Sequence, residues 1–71
     1  MDVTVKVKYG CGKQLVESFG NNRYLIYLHS KKDEEDSFAE LIALLSRKLG
    51  TPENRIELRR DLGETKVFLV N

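Results

Sequence analysis

The chain is expected to fold as an α+β two-layer sandwich, with one main helix packed on a mixed sheet of about four strands in the order β-β-(β)-α-β-β. Three features carry this expectation. Val3, Val5 and Val7 alternate with Thr4, Lys6 and Lys8, the period of two that a strand with one buried face requires. Phe38, Leu41, Ile42, Leu45 and Leu49 fall on one helical stripe, which Leu44 widens. Extended runs flank that stripe on both sides, and a helix apolar on one stripe must bury it against the apolar face of a sheet.

Taken in order, residues 3 to 9 form the first strand. Gly10-Cys11-Gly12-Lys13 break the alternation, because glycine reaches backbone conformations that other residues avoid. Leu15 to Phe19 alternate imperfectly, since Leu15 and Phe19 share a face with Glu17, and suggest a weak second strand. Gly20-Asn21-Asn22 reads as a turn. Tyr24-Leu25-Ile26-Tyr27-Leu28 is nearly all apolar or aromatic, the pattern of a central strand with both faces largely covered or capped by tyrosine rims, and His29 ends it.

A charged loop, Lys31 to Asp36, precedes the helix. Ser37 and Glu40 have the spacing of a reciprocal cap, so the helix is placed at 37 to 49, with Arg47 and Lys48 complementing its C-terminal dipole and Gly50 as its stop. Thr51 to Asn54 form a turn. Ile56 and Leu58 alternate with Arg55, Glu57 and Arg59 as a one-sided strand, and Asp61 to Glu64 connect it to a final strand at Lys66 to Val70, "KVFLV".

The 71 residues make one domain, and a chain of about 60 residues buries only about 60% of the surface its unfolded form exposes, so the core must be thin. One cysteine permits no internal disulfide, and no Cys/His cluster is present to hold a structural metal, which fits a reducing, cytoplasmic setting. Met1-Asp2 and the alternating residues after them lack the basic start and apolar run of a secretory signal. No stretch approaches the roughly 18 apolar residues of a membrane span.

The segment "LIALLSRKLGTPENRIEL" resembles the YggU-like family of small uncharacterised proteins. Leu41-Ile42, Leu44-Leu45, Leu49-Gly50, Pro52, Ile56 and Leu58 stand where that family has an apolar pair, a second pair, a helix stop, a capped turn and an alternating strand. "GETKVFLV" is similar to the family's closing hairpin. The family's polar run before the helix is replaced here by "EEDSF", and of its polar positions only Lys66 is matched. The resemblance covers nearly the whole chain and implies a fold, with no activity attached.

The residues offer few chemical constellations. A phosphate-binding loop needs a glycine at the position of Val7 and a hydroxyl at Gln14, so "YGCGKQ" reads as a turn. Cys11 has no partner cysteine, His29 lies on another strand, and the bland reading is a half-packed small residue. The acidic run Asp33 to Asp36 lacks the alternating oxygen ligands and glycine turn of a calcium loop. No cofactor, metal or catalytic residue is therefore expected.

What remains is a non-enzymatic, monomeric binding or protein-interaction module. A partner strand adding to an exposed edge is one mode, with Lys66 to Val70 the suspect strand if it lies at the margin. The alternative is weak nucleic-acid binding through Lys6, Lys8, Arg55, Arg59, Arg60 and Lys66, with Tyr9, Tyr24 and Tyr27 available for stacking. Against it stands a formal net charge of only +1.

Overall fold

Helix and sheet meet along one apolar layer, as the two periodicities require. In the computed structural model, which describes residues Met1–Asn71, the chain forms β1 (Asp2–Lys8), β2 (Leu15–Ser18), β3 (Arg23–Tyr27), α1 (Asp36–Leu49), a single 3-10 turn (Glu53–Arg55), β4 (Ile56–Asp61) and β5 (Thr65–Val70). The five strands make one mixed sheet in the order β2-β3-β1-β5-β4, one strand more than expected. The extra member is the short run Leu15–Ser18, which pairs antiparallel with β3.

β1 lies at the centre, parallel to β3 and antiparallel to β5. Its three valines are fully buried and meet Ile26, Leu28, Phe68 and Val70 from the sheet and Leu41, Ile42, Leu44 and Leu45 from α1. Phe38, expected in the helical stripe, lies at the rim instead. Nearly half of it is exposed, and its ring sits tilted against Phe68 with centroids 6.3 Å apart.

Local signals account for most boundaries. Gly50 takes the left-handed conformation at φ 65° and its amide bonds to the Ser46 carbonyl, closing the helix where the sequence places its stop. Asn21 and Asn22 are the only non-glycine residues at positive φ, so the turn between β2 and β3 relies on the side chains that tolerate it. The "YGCGKQ" turn is stitched to the segment after β3 by Gly10 N–H to Ser30 O and Cys11 N–H to Leu28 O, both 2.8 Å.

Three expectations are corrected. Ser37 and Glu40 do not cap each other: α1 begins one residue earlier with no side-chain cap. The Glu40 carboxylate turns instead to the end of β3, accepting the amides of His29 at 2.8 Å and Ser30 at 3.0 Å and the Gln14 side chain at 2.7 Å. Two amides that leave the sheet without a ladder partner outcompete the reciprocal cap. β3 lies under the helix on one face only, so the largely covered form of the expectation holds for that face alone, and Leu25 and Tyr27 on the other are half-buried. β5 is not marginal; the edges are β2 and β4.

Two outcomes follow from this packing. Leu45→Ala removes a fully buried side chain and is expected to cost about 2–5 kcal/mol, most of the stability of a domain this small, whereas Phe19→Ala, at an exposed position, stays within about 0.5 kcal/mol. Urea unfolding midpoints measure both. Burial pushes the Glu40 carboxyl up, but hydrogen bonds from Ser30, Gln14 and the His29 amide outweigh it and hold the group at about 2. Its folded pKa lies below the unfolded value, so its contribution is present above about 4.5 and is lost as pH falls from there towards about 2. Glu40→Gln should flatten the stability profile across that window, and an unchanged profile would show that the carboxylate contributes nothing there.

Candidate functional site

The sheet has one covered face and one open face, and register assigns each strand residue to one or the other. Lys6 pairs across β1 with Leu25 of β3 and Thr65 of β5, and Thr4 with Arg23 and Val67. Val67 in turn pairs with Arg60 of β4, and Leu25 with Glu17 of β2. Lys8, Tyr27 and Leu15 make a further row, and Glu57, Leu69 and Asp2 the opposite end. Cross-strand partners share a face, so the open face presents Lys6, Lys8, Arg23 and Arg60 together with half-buried Leu25 and Tyr27 on β3 and Val67 and Leu69 on β5, the two pairs separated by the polar outward residues of β1.

A shallow hollow of about 420 Å³ opens on this face, lined by Thr4, Lys6, Phe19, Arg23, Tyr24, Leu25 and Thr65. Phe19 is 61% exposed and forms one wall. The chain contains a single ion pair, Lys66 with Asp61, so the four open-face cations are unpaired although Asp2, Glu17 and Glu57 share the face. Interaction with Glu17 raises the Tyr27 phenol above its ordinary value, which places that carboxylate's influence on Tyr27.

The six basic residues singled out from sequence separate in space. Lys6, Lys8 and Arg60 come together on the open face. Arg55 ends the 3-10 turn outside the sheet. A bulge between Leu58 and Arg60 removes Arg59 from the register, so Arg55 and Arg59 do not form the strand face the alternation suggested. β1 and β4 are not neighbours, since β5 lies between them. Lys66 pairs with Val5, on the helix side, and is 8% exposed, with Nζ donating to Asp61 Oδ1 at 2.8 Å and to the Gly63 carbonyl at 3.0 Å.

Two residues of the open face escaped the sequence reading. Arg23 sits at a turn exit where nothing in the spacing ties it to Lys6. Phe19 spoiled the alternation of β2, and that irregularity was the available signal: an apolar residue on the same face as Glu17 means the open face is itself partly apolar. Of the tyrosines, Tyr27 lies on the open face, Tyr24 pairs with Val5 on the helix side, and Tyr9 lies past the end of β1.

Cys11 and His29 do come close, because parallel β1 and β3 end at the same rim. The His29 ring nitrogen Nδ1, however, lies 3.1 Å from the Cys11 carbonyl, while the cysteine Sγ faces the carbonyls of Lys8 and Tyr9 at 3.6 and 3.7 Å. The imidazole is thus engaged by backbone rather than by the thiol.

No helix in the chain is long and apolar enough to cross a membrane. No protein-family model matches the sequence, and no curated protein matches it.

The Lys66 ammonium, foremost by hydrogen bonding, holds the Asp61 carboxyl below its ordinary value, with the Gly63 amide and Lys32 adding to the effect. Lys66→Met is expected to move the Asp61 titration midpoint up towards that of a free aspartate. Carboxyl carbon shifts followed by NMR against pH measure it, and an unmoved midpoint would mean that the pair does not persist in solution.

Proposed function

We propose that the protein is a non-enzymatic binding module that docks a segment of a partner protein on the open face of its sheet. The observation that supports this most directly is the set of unpaired cations on the open face, Lys6, Lys8, Arg23 and Arg60, of which Lys6 and Arg23 line a hollow together with Phe19 and Leu25. An apolar patch rimmed by charge is the composition of a docking site. The complementary segment carries one aliphatic or aromatic anchor for the hollow and carboxylates on either side of it. Buried anchors supply most of the affinity at such sites, and rim charges set the approach rate and exclude wrong partners.

A protein segment suits this face better than a nucleic acid does. Asp2, Glu17 and Glu57 leave the face with one net positive charge, four cations against three acids, and the acids at the Asp2 end would oppose a phosphate backbone crossing the sheet. Edge pairing is disfavoured at β4, which is bulged and carries Glu57, Arg59 and Arg60. The resemblance of the Leu41–Leu58 stretch to YggU-like proteins supports a shared architecture and supplies no partner.

Two probes test the reading: a short synthetic peptide with one tryptophan flanked by aspartates, and an oligothymidylate of about ten nucleotides, within the site sizes of single-strand binding folds. Amide shifts on peptide titration are expected to cluster at Thr4, Lys6, Arg23, Leu25 and Thr65, and the double variant Lys6→Glu, Arg23→Glu to weaken binding about tenfold or more. Tighter binding of the oligonucleotide, lost steeply with salt, would replace the proposal with nucleic-acid binding. Peptide shifts that avoid the open face would overturn it outright.

A further inference from the structure

A second hollow, of about 200 Å³, lies on the helix side of the sheet, lined by Tyr9, Lys32, Ser37, Phe38, Asp61 and Lys66 among others. It sits where β1 and β4 end and where α1 begins after β3, so loops from several strands converge on it. We propose that this hollow is a binding site for a phosphate-class oxyanion, held by Lys66 and Lys32 together with the first turn of α1.

Lys66 carries the inference. It is the only buried charged residue in the chain, and it stands in the inward register of a strand whose other inward residues, Phe68 and Val70, are core. An ammonium has three donors. Two go to Asp61 Oδ1 and the Gly63 carbonyl, and the third makes no hydrogen bond within the chain. Asp61 Oδ1 is in turn occupied by Lys66 and by the Gly63 amide at 3.0 Å, which fixes the carboxylate to the hairpin.

The charge balance selects the ligand. Among the side chains that line the hollow, Lys66 and Lys32 outweigh Asp61 by one positive charge, the acidic run Asp33 to Asp36 lying outside that lining. The first turn of α1 has no side-chain cap and its Ser37 amide is taken by the Glu34 carbonyl, so the turn adds the positive end of the helix dipole and the Ser37 hydroxyl. Donors approaching from the hairpin, the loop and the helix suit an anion with acceptors on several sides, which a tetrahedral oxyanion has and a planar carboxylate lacks. The exposed face of Phe38 on the same wall leaves room for an organic group attached to the phosphate.

The test is titration of the isotopically labelled protein with inorganic phosphate, phenyl phosphate and acetate at matched ionic strength, read by amide shifts. Phosphate is expected to saturate with a Kd of the order of millimolar, with shifts confined to Ser37, Phe38 and the Asp61–Lys66 hairpin. Lys66→Met and Lys32→Ala are each expected to weaken it about tenfold. Lys32 is exposed, so the second variant keeps the test decisive if the first fails to fold. Phenyl phosphate binding tighter than phosphate would identify a phosphoryl group on a larger molecule as the ligand, and equal affinity would identify the free ion. Acetate binding as well as phosphate, absence of saturable shifts, or undiminished affinity in Lys32→Ala would overturn the proposal.

Discussion

One helix can dry only one face of a sheet, and the rest of this molecule is arranged around that limit. The valines of β1 lie under the leucines of α1 with no solvent access, and β1 holds the centre because it alone pairs with both halves of the sheet, β3 on one side and β5 on the other. The apolar layer therefore thins outward: Ile56 of β4 is nearly covered, while Leu58, the next inward position, is substantially exposed. What the core can hold is set by the width of a single helix. Everything beyond that width must be polar, be shielded by a partner, or remain partly wet.

The open face shows the last condition. Strands that face water on one side ordinarily alternate apolar with polar, and β1 does so with Thr4, Lys6 and Lys8. β3 and β5 depart from the rule with Leu25, Tyr27, Val67 and Leu69, none of which reaches the core. Register sets these departures on either side of the polar outward residues of β1, Leu25 beside Lys6 and Val67 beside Thr4, on one and the same face. The four unpaired cations share that face, Lys6 and Lys8 on its central strand.

This history of local rules explains what was legible. The helix, its glycine stop, the asparagine turn and the inward residues of β1 each follow from a short-range pattern, and each appears in the structure within a residue or two of where the pattern puts it. Strand order is different, because it depends on which strands find each other across many residues. The insertion of β5 between β1 and β4 could not be read from either hairpin alone, and it separates Lys6 from Arg59, two of the basic residues the sequence groups together. The capping spacing of Ser37 and Glu40 misled for a related reason: Glu40 meets the amides after β3, a contact that exists only once the helix has docked. Arg23 and Phe19 were invisible as site residues because their importance comes from pairing, not from spacing.

Lys66 is the sharpest conflict between local rule and structure. The inward sequence of β5 runs Lys66, Phe68, Val70, and a methionine at the first position would extend the apolar layer without burying an ammonium. Replacing buried ion pairs by apolar residues of similar volume is often neutral or stabilising, so fold stability alone does not account for a lysine there. The pair with Asp61 satisfies part of the ammonium and bends the hairpin over it through Gly63, but Asp61 is itself half-exposed, and a carboxylate in solvent would keep its partner equally well at the surface. A charge drawn under the helix rim, anchored on one side and bordered by a hollow on the other, has a physical rationale once something occupies that hollow. Departures from local consistency in small domains tend to mark sites of function, and in this chain the two departures, an apolar patch where water should be and an ammonium where a methionine would serve, lie on opposite faces of the same five strands.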